Sequence, residues 1–337
     1  MPQSKLQTVI LTQADIERLA NMRLVLRVVE QAFKAQARGE ATMPPKLYLN
    51  IPDHGDFRAM PAALAHPACC GVKWVNVHPN NPAKGLPTVM GIVLINDAKT
   101  GFPLGILDGT SVTRLRTGAS AGVAAKTLAR LDSKVAALIG CGAMALAQVQ
   151  ALEVSVSLTQ IRVWGHRDGE AKAFCESAKR AVRAELVPTV GVREAVRDTD
   201  IIVTITSSRK PLVMRDWIKP GTHINAIGAD APGKQELDPA ILKHAKVIVD
   251  DETQAVHGGE INVPIAKGQF KAEAIHATLG EVLVRKATGR TRAGEITVFD
   301  STGLATHDVA VGYELLQRAR QRRIGRAIAL FHTKAAL

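Results

Sequence analysis

The sequence predicts an α/β protein in which a doubly wound parallel sheet is inserted into a mixed α+β domain. After residue 120, apolar strand segments alternate with helical segments, which is the pattern of a parallel sheet covered on both faces. A glycine turn, Ile139-Gly-Cys-Gly-Ala-Met-Ala145, follows one of these strands and opens a helix. The residues before 121 hold strand after strand, as in an antiparallel meander. Because 337 residues exceed one typical core, we expect two domains, 1–120 plus 304–337 and 121–303.

The N-terminal region is predicted to hold one helix followed by the meander. Thr12-Gln-Ala-Asp15 resembles a capping box, and the apolar spacing after it predicts a helix that ends near Gly39. Apolar segments broken by Pro, Gly and Asn or Asp turns then predict strands, the last two joined by a hairpin turn. These strands are expected at residues 46–51, 57–60, 72–77, 89–96 and 102–107.

The rest of the chain is predicted to form parallel strands with helices between them. Strands are expected at residues 135–139, 161–164, 201–205, 223–227, 247–249 and 296–299. Helices are expected at residues 118–131, 170–184 and about 304–323. The last helix should pack back on the first domain, whose sheet has few other helices to cover it.

Composition and charge exclude several classes of protein. Hydrophobic residues make up 46% of the chain and charged residues 22%, as in ordinary globular proteins, and there is neither a membrane-length apolar run nor a signal-peptide layout. We therefore expect a cytoplasmic protein without membrane contact. The net charge of +12 owes much to the run Gln317-Arg-Ala-Arg-Gln-Arg-Arg-Ile-Gly-Arg326. We interpret this run as a solvated helix face rather than a nucleic-acid site, because no aromatic residues are interleaved with it.

The cysteines indicate no special chemistry. The chain has four of them, at Cys69, Cys70, Cys141 and Cys175, without the paired Cys-x-x-Cys spacing. In a reducing compartment such residues are most simply small buried side chains. We expect neither a disulfide nor a metal site.

The glycine turn is typical of a dinucleotide-binding site. Gly140 permits the tight turn, Gly142 lets the backbone approach a pyrophosphate, and Ala145 keeps the helix close to the strand. The first N–H groups of that helix, around Ala143 and Met144, would face the phosphates. A simple strand-to-helix turn is the alternative interpretation.

The strand after the glycine turn predicts which form of the cofactor is bound. In sites specific for NAD, an acid at the end of this strand bonds the ribose 2′-hydroxyl. Here the strand ends Val163-Trp-Gly165-His-Arg167, with Gly165 at the place of the acid. His166 and Arg167 could bind a 2′-phosphate, since a guanidinium offers phosphate oxygens two donors. We therefore predict NADP(H) over NAD(H).

Four basic side chains form a candidate substrate site. Lys46, Arg58 and Lys73 fall on successive strand segments, and Arg116 lies just before the second domain. Cations that converge from separate strands suit a carboxylate substrate, whereas the alternative for each one is a surface charge. Lys73 is the strongest of them, because it lies among apolar residues, where a lysine needs a partner or a lowered pKa.

Asp230 is the candidate acid/base group. It lies on a Gly/Pro-rich turn just after an apolar strand, at the edge where open α/β sheets bind ligands. An amine that loses hydride from its α-carbon becomes an iminium ion, and one carboxylate near that carbon can activate the attacking water. The alternative is that Asp230 caps a helix ahead of Glu236-Leu-Asp238. His223, on the preceding strand, is a weaker candidate.

Several motifs of the chain resemble those of one known family. They are spread over nearly the whole sequence: Met43-Pro-Pro-Lys46, Arg58-Ala-Met-Pro-Ala62, Gly71-Val-Lys-Trp-Val-Asn-Val-His-Pro79, Lys84-Gly-Leu-Pro-Thr88, Leu115-Arg-Thr-Gly-Ala119, Ile139-Gly-Cys-Gly142, Asn225-Ala-Ile-Gly-Ala-Asp-Ala-Pro-Gly-Lys234, His257-Gly-Gly-Glu-Ile-Asn262 and Phe299-Asp-Ser-Thr-Gly-Leu304. Together they resemble the ornithine cyclodeaminase/mu-crystallin family, and within it most closely the alanine dehydrogenase branch.

The resemblance implies an architecture and a set of site residues. It implies a homodimer in which the N-terminal sheet and the C-terminal helix form the substrate and dimerisation domain, with a Rossmann domain inserted between them. It implies catalysis by Lys73 and Asp230. It places Lys46, Arg58 and Arg116 near the substrate carboxylate. The cofactor contacts that it implies include Thr117, Thr206, Ser301 and Thr302.

Arg58 favours one reaction of this family over another. The cyclodeaminase pattern carries Glu at this position, where the acid holds the distal ammonium of ornithine, and a guanidinium would repel that group. We therefore predict an NAD(P)-dependent L-amino-acid dehydrogenase for a small substrate such as alanine, or the reverse reductive amination. The alternatives are ornithine cyclodeaminase, a dehydrogenase for a longer or basic amino acid such as arginine, and pyrroline-2-carboxylate reductase. A binding protein like mu-crystallin is disfavoured, because binding alone requires neither Lys73 nor Asp230.

Overall fold

The computed structural model describes residues 7–331, and this part of the chain forms two compact units. The first unit contains residues 7–28, 38–116 and 304–331. The second unit contains residues 29–37 and 117–303. Each unit has one large sheet, and these two sheets differ in the direction of their strands; the second unit also holds a two-stranded sheet.

The secondary structure follows the order that the sequence predicts, with additional short strands. The strands are β1 (Thr8–Leu11), β2 (Ala41–Thr42), β3 (Leu47–Ile51), β4 (Gly55–Leu64), β5 (Cys69–Val77), β6 (Val89–Asn96), β7 (Pro103–Asp108), β8 (Val135–Ile139), β9 (Gln160–Trp164), β10 (Glu185–Pro188), β11 (Ile201–Thr204), β12 (Arg209–Val213), β13 (His223–Ala226), β14 (Gln235–Leu237), β15 (Ala245–Val249), β16 (Ala277–Thr278), β17 (Ile296–Asp300) and β18 (Arg326–Ile328). The helices are α1 (Gln13–Leu19), α2 (Met22–Ala37), α3 (Gly109–Leu128), α4 (Ala145–Ser155), α5 (Glu170–Ala178), α6 (Val192–Val196), α7 (Pro239–His244), α8 (Glu252–Gly258), α9 (Asn262–Ala266), α10 (Leu279–Leu283) and α11 (Ala305–Arg322).

The first unit is built on a mostly antiparallel sheet. Its strand order is β18-β1-β7-β6-β5-β4-β2, and β3 also pairs with β4. Strands β4 to β7 pair in sequence order, each antiparallel to the next, so the predicted meander is confirmed. Helix α11 packs against β4, β5 and β6, as expected for the last helix. The prediction missed β1 and β18, which lie side by side at one edge of the sheet.

Register decides which side chains of this sheet are buried. Met60, Lys73, Val93 and Leu107 stand opposite one another in β4 to β7, and each is at most 3% exposed. Gly312 of α11 lies against this face, because a Cβ there would be 3.3 Å from the Val93 side chain. Lys73 is thus the one charged member of an otherwise apolar row.

The opposite face of the sheet is apolar and exposed. We call it the Trp74 face, since β-pairing aligns its members across β3 to β6 and Trp74 lies at its centre. Trp74 stacks on Phe57 of the neighbouring strand, with ring centroids 5.3 Å apart. The exposed fractions of its large side chains are 62% for Leu47, 48% for Leu49, 37% for Trp74 and 49% for Ile92.

The first helix departs from the prediction. Thr12 and Asp15 form both halves of the predicted capping box, but α1 ends at Leu19 and a second helix begins at Met22. Asn21 lies between them, and its Oδ1 accepts the N–H of Leu24 at 2.9 Å. The prediction of one continuous helix was wrong because an asparagine that caps a new helix ends the previous one.

The second unit is built on a parallel sheet with strand order β10-β9-β8-β11-β13-β17-β15-β16. Each of its neighbouring strands runs parallel to the next. The strand order reverses between β8 and β11, and doubly wound sheets bind ligands at such a point. The predicted doubly wound sheet is therefore confirmed.

Asp200 closes the amino edge of this parallel sheet. Its Oδ2 accepts the N–H groups of Lys134 and Val135 at 2.8 and 3.0 Å, and its Oδ1 lies 2.7 Å from an Arg130 nitrogen and 2.8 Å from Lys219 Nζ. Burial alone would raise the pKa of Asp200, but the Lys134 N–H and the Lys219 ammonium outweigh it and lower that pKa to about 2. The carboxylate is therefore ionised and ties β8 to β11 at their starts.

Helix α11 ends in the basic run that dominates the net charge. Arg318 pairs with Glu314 one turn earlier at 2.9 Å, while Arg320 and Arg322 are exposed. This arrangement agrees with a solvated helix face. Among residues 7–331, no helix combines the length and the apolar character that crossing a bilayer requires.

Candidate active site

One buried carboxylate joins two of the predicted substrate cations in the first unit. Asp308 lies in the first turn of α11, and its side chain is fully buried. Its Oδ2 is 2.8 Å from Nζ of Lys73 on β5, and its Oδ1 is 3.0 Å from Nε of Arg116 on α3. A carboxylate between two cations neutralises part of their charge and fixes both side chains.

Burial sets the proton equilibria of this cluster. Burial and the charge of Arg116 lower the pKa of Lys73 from 10.5 to about 7, against the opposing effect of Asp308. Burial would raise the pKa of Asp308, but Arg116 and Lys73 hold it below its ordinary value. The neighbouring His307 is neutral at pH 7, because burial and Arg116 lower its pKa to about 3. Lys73 is thus the member of the cluster that exchanges a proton near neutral pH.

The other two predicted substrate cations belong to the same region of the first unit. Arg58 alternates with Met60 on β4, so it lies on the same face as Lys73, and it is only 6% exposed. Its Nε donates to Asp56 at 2.7 Å, and its guanidinium lies 5.2 Å from the Tyr48 ring centroid. Lys46 comes just before β3 rather than within it, and its charge contributes to lowering the pKa of Lys73.

In the second unit, β8, the glycine turn and α4 follow one another as predicted. Gly140 has a φ of +117°, and a Cβ there would lie 2.8 Å from the Ile205 carbonyl oxygen, so only glycine fits. Around Gly142 a Cβ would meet no atom within 4 Å. Met144, at the N-cap of α4, makes no side-chain capping bond to the first N–H groups of the helix. Open space above these N–H groups fits the pyrophosphate of a dinucleotide.

The end of β9 carries an acid that the sequence reading missed. Glu170, the first residue of α5, accepts the backbone N–H of Arg167 at 3.3 Å and a guanidinium N–H of Arg167 at 3.0 Å. A Cβ on Gly165 would lie 2.9 Å from Glu170 Oε2. Burial raises the pKa of Glu170, but Arg167 outweighs it and keeps that pKa below its ordinary value. A carboxylate therefore lies beside Gly165, but it comes from the following helix and not from the strand.

Asp230 lies on the loop that follows β13. Its Oδ1 is 2.5 Å from Lys234 Nζ, and its side chain is 36% exposed. The N-cap of α7 is Asp238, which accepts the N–H of Ala240. The helix-capping alternative for Asp230 is therefore wrong.

Buried carboxylates hold two of the loops that carry predicted cofactor contacts. Asp250 accepts the hydroxyls of Ser301 and Thr302 at 3.2 and 3.0 Å and the N–H of Gly303 at 2.7 Å. Thr206 donates its N–H and its hydroxyl to Glu236, at 2.6 and 2.7 Å. These loops follow β17 and β11, so both lie at the carboxyl edge of the parallel sheet.

His223 and Cys141 have structural surroundings. His223 lies at the amino end of β13, where its ring nitrogens are 2.9 Å from Thr297 Oγ1 and 3.0 Å from Asn225 Oδ1. Burial lowers the pKa of His223 to about 3, so it stays neutral. Burial raises the pKa of the Cys141 thiol to about 12, which leaves it unreactive. Within the described range, no group of three or more His, Cys, Asp and Glu residues is arranged to hold a metal ion.

Sequence reasoning missed several acids around the predicted site. Asp308 interrupts the apolar helical segment 305–311, and a charge in such a segment was the available signal for a buried partner. Asp250 follows the apolar segment 247–249 but has no glycine-rich turn to single it out, and Glu236 follows the polar pair Lys234-Gln235, which gives no sign of burial. Glu170 lies five residues after Gly165, the position at which an acid is expected.

Comparison with known proteins connects these residues to one family. The family model described as ornithine cyclodeaminase/mu-crystallin family matches residues 6–322. The chain belongs to the ornithine cyclodeaminase/mu-crystallin family. Within this family, the alanine dehydrogenase of Archaeoglobus fulgidus is 49% identical over 329 residues, which cover 97% of this chain and 99% of that protein. The resemblance based on the motifs is therefore confirmed.

Solved structures of family members share the fold. An archaeal alanine dehydrogenase dimer with bound NAD superposes with a TM-score of 0.91 at 49% identity, over 96% of this chain and 100% of that one. The Δ1-pyrroline-2-carboxylate reductase of Thermococcus litoralis, in complex with NADH and L-proline, gives a TM-score of 0.93 at 34% identity, over 95% of this chain and 100% of that one. Two relatives with different substrates thus share this architecture and a nicotinamide cofactor.

We expect Asp308→Asn to destabilise the protein strongly. The amide leaves Lys73 and Arg116 buried without their counter-charge, and Arg116 cannot escape by losing a proton. Removing one partner of a buried ion pair costs about 3–5 kcal/mol of unfolding free energy, measured by urea unfolding at pH 7. Glu314→Gln is the matched control, because it breaks a more exposed pair on the same helix and should cost less than about 1 kcal/mol. Equal losses in the two variants would contradict the central place of Asp308.

Proposed function

We propose that this protein is a nicotinamide-dependent L-amino-acid dehydrogenase that oxidises a small amino acid, with L-alanine as the first candidate. The observation that carries the proposal is Lys73, a buried lysine with a pKa near 7 among cations that suit a carboxylate. The 49% identity to an alanine dehydrogenase over nearly the whole chain supports the choice of substrate.

The cations of the first unit are suited to bind the carboxylate of the amino acid. In our proposal Arg58, Arg116 and Lys46 bind it, because guanidinium and ammonium groups are the usual partners of a carboxylate. Arg58 also stands where the cyclodeaminase pattern has Glu, and its charge would repel the distal ammonium of ornithine. This supports a substrate whose side chain carries no positive charge.

Lys73 and Asp230 are proposed to move the protons of the reaction. The nicotinamide, when bound, supplies the acceptor for the hydride that leaves the α-carbon. The neutral Lys73 Nζ takes a proton from the substrate ammonium, so that the nitrogen lone pair can form the imine. The Asp230 carboxylate then takes a proton from the water that attacks the imine carbon, and ammonia leaves to give the 2-oxo acid. The overall reaction consumes one water and releases ammonium, one further proton and the reduced cofactor.

Reduction of a cyclic imine is the second candidate function. The observation that favours it is the likeness to a Δ1-pyrroline-2-carboxylate reductase at 34% identity and a TM-score of 0.93. Such a reaction needs a proton donor and a carboxylate site but no activated water. It therefore requires Lys73 and the cations that bind the carboxylate, but it does not require Asp230 to activate water.

The pH dependence of turnover tests the role of Lys73. Because its pKa is lowered to about 7, the neutral amine is lost below that pH, and kcat/KM for L-alanine oxidation should rise with pH through about 7 and then level off.

Variants of the two proposed acid/base residues test their roles directly. Lys73→Met and Asp230→Asn should each lower kcat by about 100-fold or more with NADH binding retained. Lys99→Met is the control, because Lys99 lies on an exposed turn, and it should leave kcat unchanged.

The readout is the absorbance of the reduced nicotinamide together with released ammonia, over a panel of L-amino acids, ornithine and pyrroline-2-carboxylate. Proline formed from ornithine without net cofactor reduction would overturn the dehydrogenase proposal in favour of a cyclodeaminase. Oxidation of NADH by pyrroline-2-carboxylate, with no amino acid oxidised, would establish the second candidate instead.

We propose NAD(H) as the preferred cofactor, in place of the NADP(H) that Gly165 suggested. Glu170 holds a carboxylate beside Gly165 and pairs with Arg167, so the site offers an acceptor for a ribose hydroxyl and a negative charge against a 2′-phosphate. Two family members solved with NAD and NADH support this choice.

The ratio of kcat/KM for NAD⁺ and NADP⁺ tests the cofactor proposal. We expect NAD⁺ to be favoured, and we expect Glu170→Gln to shift the ratio toward NADP⁺ by about tenfold, because the variant removes a negative charge and frees Arg167 to bind phosphate. Glu176→Gln, an exposed position on the same helix, is the control. A wild-type preference for NADP⁺ would restore the original prediction.

We also propose that the chain forms a homodimer through the Trp74 face. An apolar surface that spans four strands is larger than the scattered exposed side chains of monomers. An archaeal alanine dehydrogenase with the same fold is a dimer, which supports the proposal.

Sedimentation velocity tests the homodimer. We expect the wild type to sediment as a dimer and Ile92→Asp to sediment as a monomer at micromolar concentration. A charge buried in an apolar interface costs about 2 kcal/mol or more of binding free energy. Leu131→Asp is the control, since Leu131 is 100% exposed and lies in the second unit. A dimer that survives Ile92→Asp would place the interface elsewhere.

A further inference from the structure

We propose that Glu236 is a positioning residue that fixes the loop after β11 against the loop after β13, and so sets the place of Asp230 relative to Thr206. This inference rests on the proposed function of Asp230 and Thr206. It concerns only residues of the second unit. Glu236 is fully buried on β14 and has no place in the chemistry proposed above.

Strands β11 and β13 are neighbours that separate at their carboxyl ends. Their ladder continues to the bond from the Ile227 N–H to the Thr204 carbonyl oxygen, at 2.9 Å. Beyond this point the two side-chain oxygens of Glu236 connect the segment after β11 to the segment after β13. Oε1 accepts the N–H and the hydroxyl of Thr206 at 2.6 and 2.7 Å, and Oε2 accepts the N–H of Gly228 at 2.9 Å.

Gly228 shows how closely the carboxylate is fitted to this place. A Cβ on Gly228 would clash with the Thr206 carbonyl oxygen and would lie 2.5 Å from Glu236 Oε2. The loop therefore approaches the carboxylate as closely as a glycine allows. Asp230 follows two residues later, and Lys234 Nζ reaches both Asp230 Oδ1 at 2.5 Å and the Gly228 carbonyl oxygen at 3.5 Å.

Glu236 is itself held by a second buried carboxylate. Glu260 accepts the backbone N–H of Glu236 at 2.9 and 3.0 Å and that of Leu237 at 2.7 Å. Asp300 in turn accepts the N–H groups of Glu260 and Ile261 at 2.9 and 3.2 Å. A side chain whose backbone is anchored in this way has little freedom to follow a moving loop. It acts as a fixed support for the loop instead.

Because Oε1 of Glu236 binds Thr206 and Oε2 binds Gly228, an isosteric substitution can test the proposal. In Glu236→Gln the amide keeps one acceptor and gains a donor, so it can accept from Thr206 or from Gly228 but not from both. One of the two loops is then released while shape and burial are preserved. Asp200→Asn is the matched control, because Asp200 is also buried and also accepts two backbone N–H groups, but at the opposite edge of the sheet.

The first measurement is amide hydrogen exchange in the full-length protein. In Glu236→Gln we expect the segments around Thr206 and Gly228 to exchange about tenfold faster than in the wild type, while residues 134 and 135 keep their rate. In Asp200→Asn the segments around Thr206 and Gly228 should keep their wild-type rate. Uniformly faster exchange in Glu236→Gln would show general destabilisation and would overturn the proposal.

The second measurement separates positioning from substrate binding. With L-alanine and NAD⁺, we expect Glu236→Gln to lower kcat by about tenfold to 100-fold while KM for the amino acid changes by less than about threefold. Asp200→Asn should keep kcat within about twofold of the wild type. A Glu236→Gln enzyme with wild-type kcat would overturn the proposal.

Failure of the proposed function would remain distinguishable. If the wild type oxidises no amino acid, the exchange pattern together with the NADH affinity, measured by fluorescence, still decides whether Glu236 positions Thr206. If Glu236→Gln does not give folded protein, Gly228→Ala keeps the carboxylate but forces it away from the loop, and the same exchange pattern is expected. Unchanged exchange at Thr206 in that variant would equally contradict the inference.

Discussion

The second unit depends on acceptors for the backbone N–H groups that lie beyond the carboxyl ends of its parallel strands. Loops that diverge to make room for a ligand lose the ladder bonds of the sheet, and an unsatisfied buried N–H is costly. Four buried carboxylates fill this need. Glu236 binds the loops after β11 and β13, Asp250 binds the loop after β17, Asp300 binds the backbone at Glu260, and Glu260 binds the backbone of β14. Side chains therefore replace the ladder bonds at the carboxyl edge of this sheet.

In the first unit the buried group that needs a partner is a cation. Its sheet buries Lys73 in a row of apolar residues, and α11 supplies Asp308 as the counter-charge. Since α11 also covers the sheet, the helix that completes the core is the one that carries the counter-charge of Lys73. A change in α11 would therefore affect both the packing of this sheet and the pKa of Lys73.

The sequence predicted the fold better than the details of the site. Long apolar segments and the glycine turn indicated the parallel sheet, because hydrophobic periodicity reports burial directly. Short edge strands such as β1 and the break at Asn21 gave no such signal. Asp308 and Glu170 were missed because their importance comes from partners that are distant in sequence or placed on the next element. A buried acid and a solvated acid look alike until the fold brings their partners together.

Lys73 also bears on the direction in which the reaction runs. With a pKa near neutrality, its ammonium and its neutral amine coexist in comparable amounts around pH 7. In the proposed mechanism, microscopic reversibility makes the amine the base of oxidation and the ammonium the acid of reductive amination, so one residue would serve both. A lysine with its ordinary pKa of 10.5 would be almost entirely ammonium at pH 7, and few protein molecules would then hold the neutral amine that oxidation needs. As with any catalyst, the supply of ammonia and the redox state of the nicotinamide pool then decide whether the amino acid is made or consumed.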